Sequence, residues 1–135
     1  MRLTKREREA VRAKFAGLCA YCGYALGERW HADHFEPVIR RSKWQSGVGF
    51  QPTGEVVCAT RDVVANLMPA CAPCNIDKAT HGLEGWRSKL QTSCDVLARN
   101  SSTYRHARRF SLVIETGERV RFFFERTGTI DPTER

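Results

Sequence analysis

Two CxxC pairs, Cys19/Cys22 and Cys71/Cys74, constrain this chain more than any other feature. Thiolates at that spacing suit a tetrahedral zinc ion, and a shared ion pins together two loops that lie far apart in sequence. Between the pairs lies His31-Ala32-Asp33-His34, and the second pair runs directly into Asn75, three residues before Lys78. An adjacent Asp and His followed by an Asn offer hard oxygen ligands and a base, chemistry that thiolates do not supply. The two sets point to a structural metal coupled to a second, chemically active cluster.

With 135 residues, 41% of them hydrophobic, the chain has room for one domain, 1–135, whose modest core gains from a metal staple. A formal charge of +7 and a pI near 9.4 raise the local concentration of polyanions and make a phosphate backbone a natural partner. The opening MRLTKREREAV has no apolar signal segment and no run approaches membrane-spanning length, so a reduced, cytoplasmic setting without a membrane partner is expected. There, two close cysteine pairs read as zinc ligands rather than two disulfides. Cys58 and Cys94 read as ordinary reduced thiols.

Thr4 and Glu7 form a T-x-x-E capping box that starts a helix, and Gly17 stops it. Its Lys5, Arg6, Arg8, Arg12 and Lys14 make either a solvated face, packing through Val11 and Phe15, or a DNA-backbone contact. Leu18 to Gly23 reads as a zinc knuckle, and Trp30 to Ile39 as extended chain whose ladder ends at Pro37. Arg40 to Val64, with three glycines and a proline, reads as an irregular insertion. From Pro73 a helix is predicted with Asn75 and Lys78 on one face, ending at Gly82. A second helix is predicted over about Leu83 to Ala98, with Leu83, Trp86, Leu90, Cys94 and Leu97 as its buried stripe. After a polar NSSTYRHARR segment, the alternating runs RFSLVI and VRFFFER, joined through Gly117, predict a β-hairpin. The terminal TIDPTER is expected to fray.

On a strand His31 and Asp33 share one face and His34 takes the other. Phosphodiester hydrolysis uses that divergence, because the attacking water needs a base and the leaving oxygen needs charge stabilisation on the opposite side. His34, a neutral imidazole near pH 7, suits the first role, and Asp33 suits the second by holding a cation. Asn75 adds a second oxygen if zinc pins its helix against the Asp33 strand. This reads as a metal-dependent nuclease. His31 is either an accessory ligand or an ordinary strand histidine, and His81 a helix C-terminal cap.

The segments CAYCG, HADHFEP and NLMPACAPCN, followed by Lys78, resemble the HNH endonucleases of the treble-clef, ββα-metal class, particularly small phage and prophage members with two CxxC pairs. The resemblance covers roughly Cys19 to Lys78. It implies an α+β fold whose zinc-stapled core spans about 18–80, with an N-terminal helix before it and a helix and C-terminal β-hairpin at about 83–126. It implies Asp33 as the first metal ligand, His34 as general base, Asn66 as the middle Asn tethering the loop of the base, Asn75 as the last metal ligand, and Lys78 at a substrate phosphate. Read alone, Asn66 could be merely a turn or cap residue. Arg40 and Arg41 are further candidate nucleic-acid contacts.

Colicin-type members carry an additional His one turn after the last ligand, where this chain has Ala79. That favours Mg²⁺ or Mn²⁺ over zinc at the catalytic position, beside structural Zn²⁺ on the four cysteines. The expected activity is cleavage of DNA phosphodiesters with largely backbone-directed binding, and the resemblance implies 5′-phosphate and 3′-hydroxyl ends. The phage resemblance makes a terminase or another packaging protein a candidate partner. The rival readings are a catalytically inactive zinc-stapled DNA-binding module and a nuclease acting on RNA.

Overall fold

The computed structural model describes residues 1–128; TIDPTER lies outside them. The fold is mixed α+β, with two separate two-stranded antiparallel sheets. The chain forms two compact units, residues 1–83 rejoined by the chain from Phe122, and Glu84–Arg121 between them.

In the first unit, α1 (Lys5–Ala13) starts at the expected box, with Glu7 N–H donating to Thr4 Oγ1 at 3.2 Å and Thr4 N–H to Glu7 Oε2 at 2.8 Å. Val11 is fully buried and Phe15 nearly so. Three cations of this segment bond protein groups. Arg8 lies 4.1 Å from the Trp30 ring centroid and donates to Trp30 O at 2.8 Å, Arg12 donates to Gly27 O at 3.0 Å, and Lys14 reaches Leu67 O. Lys5 and Arg6 remain exposed.

Strands β1 (Trp30–His34) and β4 (Leu67–Cys71) pair antiparallel, with Trp30 opposite Cys71 and His34 opposite Leu67. Helix α2 (Ala72–Lys78) follows β4 directly, with Pro73 in its first turn where a missing N–H costs nothing. The stretch expected to be irregular instead forms a hairpin of β2 (Ile39–Gln45) and β3 (Gly49–Val57), turned through Gly47 at φ 78° and Gly49 at φ 92°. Every residue of β2 is exposed. With both faces wet there is no polar–apolar alternation to read, and a two-stranded ribbon has outer edges that tolerate Pro52.

The second unit contains α4 (Ser93–Asn100), α5 (Ser102–Arg109) and nearly all of α3 (Leu83–Gln91). The single helix expected over 83–98 breaks at Thr92, whose N–H and hydroxyl both donate to Lys89 O. Trp86 is buried, but Cys94 and Leu97 are exposed, so the stripe does not continue past the break. The polar segment becomes α5, capped by Ser101 Oγ accepting from Tyr104 N–H at 3.1 Å.

The C-terminal β-hairpin does not form. Phe110, Leu112 and Ile114 are exposed, while Phe122 and Phe124 leave any ladder and bury themselves in the first unit. Phe123 N–H donates to Tyr21 O at 2.8 Å and Phe124 N–H to Ala20 O at 3.0 Å, so the Cys19–Gly23 loop takes bonds that a strand partner would have received. Phe122 and Phe124 stack at 5.9 Å, and Phe124 meets Phe35 edge-on at 5.7 Å. Glu125 caps the short α6 (Phe123–Arg126), accepting from Phe122 N–H at 2.8 Å.

Candidate functional site

The knuckle places Cys19 and Cys22 on one side of a shared space, and the β4–α2 junction places Cys71 and Cys74 on the other. All four Sγ atoms lie within 4.8 Å of one another. Cys22 and Cys71 Sγ are 3.7 Å apart, close to the roughly 3.8 Å between sulfurs of a tetrahedral zinc site with about 2.3 Å bonds. Gly23 at φ 79° completes the turn, and its N–H donates to Cys19 O at 2.9 Å.

The thiols perturb one another strongly. A hydrogen bond from Cys74 pulls Cys19 down to about 4. Burial and the neighbouring Cys19 push Cys22 up to about 11, and donation to Cys19 pushes Cys74 far up. The Cys19 charge thus resists ionising Cys22 and Cys74 beside it, and a dication would remove that resistance. The four cysteines could hold a structural metal ion such as zinc. Among the described residues no other group of three or more His, Cys, Asp or Glu side chains converges in this way.

A second cluster sits at the other end of β1. Asp33 is 8% exposed, and its Oδ2 accepts from the Tyr21 hydroxyl at 2.6 Å and Lys78 Nζ at 3.0 Å. Burial first, and then the Asp33 charge, hold the Tyr21 hydroxyl well above its usual range. Lys78 also donates to His34 O at 2.8 Å and is 0% exposed. Lys78 therefore does not stand where a substrate phosphate could reach it; its ammonium is desolvated and committed to Asp33 and the β1 backbone. Asn75, half-buried, lies three residues before Lys78 on the same side of α2.

No protein family, characterised protein or solved structure matches this chain.

His34 points away from Asp33. Its Nε2 lies 2.8 Å from Asp62 Oδ1, and Asp62 Oδ2 accepts from the Met1 amino group at 3.1 Å. The His34 bond, then the amino group, hold the Asp62 carboxyl below its ordinary range. Sequence reasoning missed Asp62, because no motif marks an acid in the loop before Asn66. Asn66 ties that loop to the one after His34. Its Oδ1 accepts from Glu36 N–H at 3.0 Å, its Nδ2 donates to Glu36 O at 2.8 Å and Arg61 O at 2.9 Å, and its carbonyl accepts from Phe35 N–H at 2.8 Å.

The remaining candidates are dispersed. His31 and His81 are exposed. Arg40 and Arg41 lie exposed on β2, and Arg41 pairs with Glu55 at 3.3 Å. No described helix is long and apolar enough to cross a membrane.

Proposed function

We propose that the protein is a metal-dependent HNH-type endonuclease that hydrolyses DNA phosphodiester bonds. The observation that carries this reading is the His34–Asp62 pair at the end of a strand whose neighbouring residue, Asp33, faces the helix that carries Asn75. With Nε2 engaged by the Asp62 carboxylate, Nδ1 of the favoured tautomer carries the lone pair that takes a proton from water. Asp62 then stabilises the imidazolium that forms. Asn66 keeps the two loops in register, so the imidazole is held before substrate arrives.

Asp33 and Asn75 would hold the cation. A bound divalent ion supplies charge stabilisation at the leaving oxygen. Both described contacts of Asp33 fall on Oδ2, which leaves Oδ1 for that role. Lys78 already offsets the Asp33 charge, so Asp33 and Asn75 would bind a cation weakly, as suits hydrated Mg²⁺ or Mn²⁺. The Cys19–Gly23 turn, the β1–β4 pair and α2 after it support the treble-clef reading, and the four-cysteine cluster supports a structural Zn²⁺.

The Lys78–Asp33 ion pair also favours a second reading, a zinc-stapled DNA-binding module without catalysis, because an acid so satisfied is a poor ligand. Matched DNA and RNA of one sequence, incubated with zinc-loaded protein and added Mg²⁺ or Mn²⁺, decide among the readings. Cation-dependent DNA cuts with 5′-phosphate ends, lost in His34→Ala, support the endonuclease. Binding without cuts selects the module, and cuts in RNA alone redirect the substrate.

A further inference from the structure

The β2–β3 ribbon packs chiefly on itself and leaves an aromatic pair in water. Trp44 and Phe50 are cross-strand partners with ring centroids 5.2 Å apart, and they are 63% and 71% exposed. The other two tryptophans, Trp30 and Trp86, are 7% and 2% exposed. A two-stranded ribbon alone is marginal in water, so presenting two large rings this way is costly unless they meet a partner.

The ribbon also carries Arg40, Arg41 and Lys43 against one acid, Glu55, already paired with Arg41. Its stalks are fastened to the loops bearing His34 and Asp62. Asn66 bonds Glu36 on one side and Arg61 O on the other, and Arg61 Nε reaches Glu36 Oε2 at 3.1 Å. Trp44 lies about 17 Å along β2 from Ile39, at about 3.4 Å per residue. That is about five nucleotide rises along a DNA strand.

Neither ring neutralises phosphate, and between them they offer one hydrogen-bond donor, the indole N–H; what they chiefly offer DNA is faces that stack on bases. We propose that the ribbon is a base-stacking arm, in which Trp44 and Phe50, at least the length of β2 away from the His34 loop, stack on unpaired DNA bases beyond the bond to be cut. The protein then prefers DNA with an unpaired segment there over continuous duplex. The partner class rests on the endonuclease reading; the preference for unpaired DNA is additional. A tip of this composition also suits a lipid interface, but the tethering of its stalks to the His34 loops favours DNA.

Because Trp30 and Trp86 are buried, acrylamide quenching of the full-length, zinc-loaded protein reports chiefly on Trp44. Without added Mg²⁺ or Mn²⁺, a duplex with a central bubble of about five nucleotides should quench Trp44 and shield it from acrylamide. It should bind about tenfold tighter than the continuous duplex, the size of one base–aromatic stack. Trp44→Ala/Phe50→Ala should bind both DNAs equally while retaining zinc and the Trp30 and Trp86 emission, and Trp44→Phe should keep the preference. Equal binding by the wild type with unchanged Trp44 emission overturns the arm, even if cleavage proceeds. A blue shift on phosphatidylcholine/phosphatidylglycerol vesicles with no response to DNA assigns the tip to lipid and also overturns it. Bubble-dependent quenching without cleavage on any DNA supports the arm and refutes only the endonuclease.

Discussion

Replacing Lys78 by Met tests whether this lysine is a buried partner or a phosphate contact. The ammonium is 0% exposed, 3.0 Å from an Asp33 carboxylate that is itself nearly buried, and it also donates to His34 O. Methionine fills much of the same volume, so the chief loss is electrostatic, an acid left in a low-dielectric site with Tyr21 as its one described donor. Breaking a buried pair in this way costs about 3–5 kcal/mol. At about 4 °C per kcal/mol for a chain of this size, the zinc-loaded variant should melt about 12–20 °C below wild type. Adding Asp33→Asn removes the orphaned charge while retaining an acceptor for Tyr21, and should recover about half of the loss or more. Circular dichroism melts of the three variants and wild type supply the cycle. A Lys78→Met melt within about 3 °C of wild type, with the salt slope of DNA binding reduced by about one, would refute the burial argument in favour of a phosphate contact.

Purified protein should hold about one zinc per chain by elemental analysis, and Cys71→Ser should lose it together with much of its stability, since metal binding and folding are coupled. Gly23→Ala should cost about 1–3 kcal/mol in denaturant melts, because the residue sits at φ 79° and a Cβ there would meet the Phe123 ring at 2.7 Å. Adding Phe123→Ala should cost less than the sum of the two single changes. Asp62 should contribute stability that is full above its unfolded value near 3.8 and lost as pH falls through its lowered folded value, so wild-type and Asp62→Asn melts should converge on acidification.

Local signals with fixed spacing were legible in the sequence. The Thr4–Glu7 box and the two CxxC pairs each need only a few adjacent residues, and the structure brings the four thiols together. What escaped was set by distant partners. Phe122 and Phe124 alternate like a strand, yet Phe123 between them also packs, on Gly23, because an aromatic cluster rather than a ladder takes the segment. The ribbon lacks a dry face and so has no periodicity to read. Lys78 reads as surface charge until Asp33 is placed against it, and Asp62 is invisible without the fold that carries it to His34.

The docking of Phe122–Phe124 on the knuckle also sets a schedule for synthesis. All four thiols have been made by the time Lys78 is added, so zinc can be captured early. The rings that cover Tyr21 and Phe35 come only after the entire Glu84–Arg121 segment. At usual elongation rates that interval is on the order of a few seconds, during which the four-thiol core stands with its aromatic side open. This nascent state is the one most exposed to misassembly, and a ribosome stalled before Phe122 would prolong it.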